Sequence, residues 1–198
     1  LMLVGDPGRA ELVAGRFDEV ELERRNREYV TFTGRHRGLR LSVIGTGIGA
    51  DNTEIALVEL GQCVESPTLI RCGSCGGLAP EVATGDLVIS RGAYRLESTS
   101  TWFVGEGFPA VADHEVVLAL LEAASRTGAP HHLGLTASSP GFYGAQDREI
   151  AGFPLRHRGI LEDLQRQGVL NIEMEASCLF SMASLAGWRA GAICAVYA

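Results

Sequence analysis

Residues 41–56 read LSVIGTGIGADNTEIA, an apolar run that ends in Gly45-Thr46-Gly47-Ile48-Gly49-Ala50 and passes into a segment with helical spacing. Strand, glycine turn and helix in that order approach the G-x-G-x-x-G/A fingerprint of dinucleotide-binding folds. Such folds place the motif in their first strand–helix unit, with an acidic residue about twenty positions later, at a strand end, to hold a ribose. Here the preceding segments, 29–33 and 39–44, flank the turn-forming Gly34-Arg35-His36-Arg37-Gly38 and predict a hairpin. The nearest acid, Glu65, precedes the next strand instead of closing one. The glycines are therefore read as a tight turn that lets backbone approach a ligand or a neighbouring chain. A nicotinamide cofactor is not expected.

Outward from this stretch, strand-like and helix-like patterns alternate with no repeat and no low-complexity linker. Apolar runs at 1–4, 68–72, 86–90, 132–136 and 190–196 predict strands, and helical spacing marks 9–16, 52–60, 115–126, 159–167 and 173–186. The alternation predicts an α/β fold, a three-layer α/β/α sandwich around a central mixed sheet, formed by residues 1–198 as one domain. Loops at the strand ends should carry the site. The chain begins inside one apparent strand and stops on another, so the expectation is a domain without an N-terminal segment and a C-terminal helix.

With 198 residues, 46% of them hydrophobic, the chain can bury a sizeable core. No run is long and apolar enough to span a bilayer and no signal-like start is visible, so a cytoplasmic protein with no membrane partner is expected. A net charge of −7 argues against a nucleic-acid surface, and any anionic ligand must meet a local arginine cluster. Cys72-Gly73-Ser74-Cys75 matches C-x-x-C, yet Cys63, Cys178 and Cys194 are scattered singly and offer zinc no second ligand pair. The cysteines are read as small buried residues.

Two further stretches concentrate anion-binding chemistry. Gly5-Asp6-Pro7-Gly8-Arg9 sets backbone N–H groups and an arginine at a strand-to-helix junction, where the helix terminus favours anions. Arg71-Cys72-Gly73-Ser74, read as a turn after an apolar strand, adds a guanidinium beside a hydroxyl. Together they predict an oxyanion pocket.

These stretches, with NREYVTFTG at 26–34, the segments 44–62 and 69–90, FPAVADHEVV at 108–117, GLTASSPGFYGAQDRE at 134–149 and residues 171–191, make the sequence resemble the hexameric nucleoside phosphorylases over essentially its whole length. The resemblance implies phosphorolysis of uridine to uracil and ribose 1-phosphate, with inorganic phosphate as co-substrate and no redox cofactor. It implies phosphate binding by Gly5, Arg9, Arg71 and Ser74, with Arg27 reaching a neighbouring subunit's site. Met174 and Glu175 would hold the ribose, with Glu173 nearby, and Gly76, Phe142, Gln146 and Arg148 the base. Arg71, Arg148 and Glu175 are the residues expected to carry catalysis. A monovalent cation, K+, is implied at a dimer interface near Glu28, Ile48 and Asn52, and a homo-hexamer built from dimers that share active sites.

Gln146 and Arg148 suit uracil, whose edge presents two carbonyl oxygens with an N–H between them: an amide offers donor and acceptor, and a guanidinium a second donor. The alternatives are a purine nucleoside phosphorylase, a nucleosidase of the same fold, or a nucleoside-binding module without catalysis. The three arginines at 9, 27 and 71 speak for phosphate over water. Tyr197 and Ala198 stand where the family carries branched aliphatic residues in the base pocket. Asn52 stands in place of a serine, and Ser74 in place of a threonine. His114, His131, His132 and His157 receive no role.

Overall fold

The computed structural model describes residues Leu1–Ala198. Its strands are β1 (Met2–Val4), β2 (Glu19–Asn26), β3 (Tyr29–His36), β4 (Leu39–Gly45), β5 (Thr68–Gly77), β6 (Leu87–Arg95), β7 (His131–Ser138), β8 (Val169–Glu173) and β9 (Arg189–Val196). Its helices are α1 (Pro7–Ala14), α2 (Ala50–Leu60), α3 (His114–Thr127), α4 (Ile160–Arg166) and α5 (Ala176–Leu185). No helix is long and apolar enough to cross a membrane.

The strands join in one mixed sheet in the order β2-β3-β4-β1-β5-β8-β7-β6-β9. β1 runs parallel to β4 and β5, while β2, β3 and β4 form an antiparallel meander. Successive side chains of a strand point to opposite faces, and this separates two layers. Leu3 and Ile44 pack with Leu57 of α2 and with Leu179 and Phe180 of α5, whereas Val4 and Val43 pack with Ala10 and Ala14 of α1. Helices thus cover both faces, as the three-layer reading requires. α5 is buried at every position from Ala176 to Ala183, so it serves as a core element instead of an amphipathic cover.

One half of the sheet closes on itself. β9 lies antiparallel to β6 and also parallel to β5, and β5 pairs with β8 through Gly76 and Gly77 alone. The ring β5-β8-β7-β6-β9 results. It brings the C-terminal end of β5, the segment after β8 and the chain end at Tyr197-Ala198 to one place.

Several local readings change. Arg71-Cys72-Gly73-Ser74 is no turn: it lies inside the ten-residue β5, paired with β9 throughout and with β1 at Arg71. Gly76 and Gly77 likewise continue the strand. Cys72 and Cys75, three residues apart on that strand, face opposite ways, the first half-buried and the second buried. The hairpin turn contracts to Arg37-Gly38, because β3 runs on through Gly34, Arg35 and His36. Val20 and Leu22 alternate with glutamates at the start of β2, yet every one of its residues is exposed; only pairing with β3 makes it a strand. The helix placed at 173–186 starts at Ala176, since Glu173 ends β8.

Candidate active site

A cavity of about 820 Å³ opens where these ends converge. It is lined by Gly5 and Arg9, by Arg71, Ser74 and Gly76 of β5, by Glu173, Met174 and Glu175, and by Phe142, Gln146 and Arg148. Glu28, Ile48, Asn52, Tyr197 and Ala198 line it as well. The structure thus brings together every residue singled out in the sequence but one. Arg27 sits exposed at the β2–β3 turn with φ 54° and does not line the cavity of its own chain.

The β1–α1 junction forms as its residues dictate. Asp6 caps α1, its side chain accepting the Gly8 N–H at 2.8 Å, and Pro7 opens the helix where no N–H is needed. Arg9 in the first turn then reaches across to donate to the Cys72 carbonyl at 3.2 Å.

Arg71 is the centre of a buried charge cluster. Its Nε donates to Glu173 Oε2 at 2.8 Å and its Nη2 pairs with Glu175 Oε2 at 2.5 Å, leaving Nη1 without a protein acceptor. Burial works to lower the guanidinium's pKa, but the two carboxylates outweigh it and hold the group above its ordinary value. Glu175 moves the other way in stability terms: burial pushes its carboxyl up, Arg71 only partly offsets this, and Glu173 adds to it. Arg71 gains from two anions at once, whereas Glu175 is governed first by its burial, and the like charge of Glu173 adds to that.

The two glutamates differ in what remains free. Glu173 receives the Arg71 Nε, the Ser138 hydroxyl at 2.5 Å and the backbone N–H groups of Glu175 and Ala176 at the start of α5. Its oxygens are saturated from within. Glu175 takes one further donor, the Gly49 N–H at 2.6 Å. That contact gives the 45–50 glycine stretch a role the sequence did not disclose: Gly49, at φ 97°, turns its N–H onto a carboxylate 126 residues away.

Gln146, which also lines the cavity, lies in a short 3-10 turn, 5% exposed, and donates one amide hydrogen to the Gly141 carbonyl at 3.2 Å. Its Oε1 and second N–H have no protein partner. The Arg148 guanidinium stands 4.4 Å from the centre of the Phe142 ring, which meets Tyr143 edge-on at 5.2 Å. Arg148 Nε is buried with no acceptor. A buried donor left unpaired is costly unless a ligand completes it.

A larger cavity, about 990 Å³, adjoins this one through Arg148, which lines both. Its walls include Leu96, Tyr143, Phe153, Leu155 and Ile160 together with Arg156 and His157, and it contains none of Gly5, Arg9, Arg71, Ser74 or Glu175. The chemistry resides in the smaller cavity.

The family model described as "Phosphorylase superfamily" matches residues 1–198. The chain belongs to the phosphorylase superfamily. Among curated relatives of this superfamily, "Uridine phosphorylase" of Thermococcus kodakarensis is 44% identical over 200 residues, covering 100% of this chain and 72% of the relative. "Uridine phosphorylase" of Escherichia coli is 39% identical over 195 residues, covering 97% of this chain and 77% of the relative. "Guanosine phosphorylase" of Halorubrum lacusprofundi is 35% identical over 195 residues, covering 98% and 76%. The superfamily's nucleoside and phosphate substrates match a cavity that combines guanidinium groups, a carboxylate with a free flank and an amide.

Proposed function

We propose that this chain catalyses the reversible phosphorolysis of uridine to uracil and ribose 1-phosphate, in pyrimidine nucleoside salvage. The observation that carries the reading is the convergence of Gln146 and Arg148 with Arg71 and Glu175 in one cavity. The names of the bacterial and archaeal relatives agree with it.

Phosphate is held by Arg9, by Arg71 through its free Nη1, by the Ser74 hydroxyl and by the Gly5 backbone, with Arg27 added from a neighbouring subunit. Glu173, saturated by Arg71 and backbone donors, fixes Arg71 and does not take up the ribose. Glu175 accepts the ribose hydroxyls while Met174 packs against the sugar. Breaking the glycosidic bond develops oxocarbenium-like charge on the ribose, which the bound phosphate stabilises before attacking the anomeric carbon. The departing uracil gains negative charge on its oxygens. Arg148 Nε and the spare Gln146 N–H stabilise it, while Gln146 Oε1 accepts the base N–H between the carbonyls. Phe142 and Gly76 bound the plane of the base.

Arg27 acting in a neighbouring subunit's site requires at least a dimer; the likeness to the hexameric nucleoside phosphorylases extends this to a hexamer built from dimers that share active sites, and a cytoplasmic location goes with this metabolic role. Glu28, Ile48 and Asn52 offer a carboxylate and carbonyl oxygens, a hard-oxygen set suited to an alkali cation such as K+. They would hold it as a structural ion, and no step of the reaction runs through it.

A purine substrate is the second reading, favoured by the relative named as a guanosine phosphorylase. Uracil release from uridine, measured with and without phosphate beside inosine and guanosine, separates the two. Phosphate-dependent release from uridine supports the proposal. Release without phosphate identifies a nucleosidase, purine preference overturns the base assignment, and no release at all leaves a binding module.

A further inference from the structure

A line of buried polar side chains runs from the cavity into the core. Ser138, at the end of β7 and fully buried, donates its hydroxyl to Glu173 Oε1 at 2.5 Å and accepts the Ser177 N–H at 2.8 Å. Ser177, in the first turn of α5, donates its own hydroxyl to Glu97 Oε1 at 2.9 Å. Glu97, 4% exposed, also takes the Ser100 hydroxyl at 2.6 Å and the Ser100 N–H at 2.9 Å, and no cation pairs with it.

The polarity of this line is fixed. A hydroxyl has one proton, and Ser138 faces a backbone N–H on one side, so it can only donate on the other. The same holds for Ser177, whose hydroxyl meets a carboxylate. Both serine hydroxyls therefore point towards a glutamate side chain, Ser138 towards Glu173 at one end and Ser177 towards Glu97 at the other. Buried networks satisfied at each member hold a single arrangement, because any rotation strands a polar atom.

We propose that Ser138 is a positioning residue for phosphate: by fixing Glu173 it sets the orientation of the Arg71 guanidinium, and Glu97 holds Ser138 in register through Ser177. The proposal rests on the phosphate role assigned to Arg71. Ser138 touches neither phosphate nor nucleoside and acts only through Glu173.

The test is steady-state kinetics, varying phosphate and uridine separately, for the wild-type protein, Ser138→Ala, Arg71→Gln and the double variant. Ser138→Ala should raise the phosphate KM about fivefold, the size expected for one lost hydrogen bond, and leave the uridine KM within about twofold. The double variant should lose no more than Arg71→Gln alone, since both changes act through one guanidinium. Additive losses, or parallel changes in both KM values, overturn the proposal and leave Ser138 a packing residue. An unchanged phosphate KM in Arg71→Gln itself would instead sink the phosphate reading. Should Ser138→Ala not fold, Ser177→Ala decides: it keeps the N–H to Ser138 but releases Glu97. A phosphate-selective rise supports the line and its absence refutes it.

Discussion

Arg71 Nη2 lies 2.5 Å from Glu175 Oε2, both side chains 6% exposed, inside a cluster that also holds Glu173. One guanidinium and two carboxylates leave this buried group one negative charge in excess, at the point where phosphate is proposed to bind. The excess is borne by Glu175, whose carboxyl burial pushes above its usual range, with Arg71 offsetting and Glu173 reinforcing the shift.

The sign of that shift sets a stability prediction for Glu175→Gln. A carboxyl with a raised folded-state pKa contributes stability that is present below its unfolded pKa and lost as pH rises through the folded one. The amide carries no such dependence, and Arg71 keeps Glu173. The Tm of the glutamine variant relative to wild type should therefore climb as pH is raised from about 5 to about 8. Turnover of uridine should fall about 10²-fold through the lost ribose contact. A Tm difference that stays flat or reverses with pH would show that pairing with Arg71, not burial, governs Glu175.

Gly49→Ala isolates backbone strain. At φ 97° and ψ 169° the residue occupies a region that L side chains avoid, while an added Cβ would meet nothing within 4 Å. Urea unfolding should report a loss of about 1–3 kcal/mol with an unchanged m-value. The uridine KM should rise with it, because the N–H that fixes Glu175 is displaced. A fully stable variant with ordinary KM would deny the glycine stretch its part in the site.

Gly73→Ala makes the converse case. Its backbone is ordinary strand, yet a Cβ there would stand 2.7 Å from Arg71 Nη2 and 2.9 Å from Cys194 Sγ. Residues two apart on a strand share a face, so the guanidinium lies along the surface that Gly73 leaves bare. The braced guanidinium must shift, so the phosphate KM should rise about tenfold and the melting temperature should fall with it. Loss of stability without a change in phosphate KM would place the strain on Cys194 instead.

The α/β alternation was legible because β1 and β4 are largely apolar and α3 carries a clean apolar period. β2 was not, since EVELERRN has no buried face and depends wholly on its neighbour. The closed ring was invisible for a related reason: it hangs on pairing of β5 with β9 and β8, contacts more than 90 residues apart in sequence. In the site, Arg71, Glu175, Gln146 and Arg148 stood out through the family motifs. Gly49 and Ser138 did not, because a backbone N–H and a lone hydroxyl acquire meaning only from what tertiary closure sets beside them. Glu173 was noted beside the ribose residues, whereas its geometry makes it the brace of Arg71.

Thiol reactivity offers a check on the core that is independent of activity. Burial pushes the Cys178 thiol up, and Cys194 is raised by its contact with Cys75 and by burial. Only thiolates alkylate quickly. Iodoacetamide at neutral pH should label exposed Cys63 in the native protein and reach Cys178 and Cys194 only after unfolding. Native labelling of Cys178 would contradict the packing of α5.

Arg148→Ala tests whether the base is recognised where the geometry places it. The guanidinium stacks 4.4 Å from the Phe142 ring centre, an attraction that holds it in place without consuming its hydrogen-bond donors. Nε is left buried and unpaired, a cost that a uracil oxygen would relieve most strongly as negative charge builds on it. The contact should therefore strengthen in the transition state and appear in kcat as well as in KM. We expect kcat/KM for uridine to fall about 10²-fold, with the phosphate KM unchanged within about twofold. Comparable losses for both substrates would mean that Arg148 supports the cavity as a whole. A rise confined to the uridine KM, with kcat unchanged, would mean that it binds the ground state and the transition state equally, leaving Gln146 as the group that stabilises the leaving base.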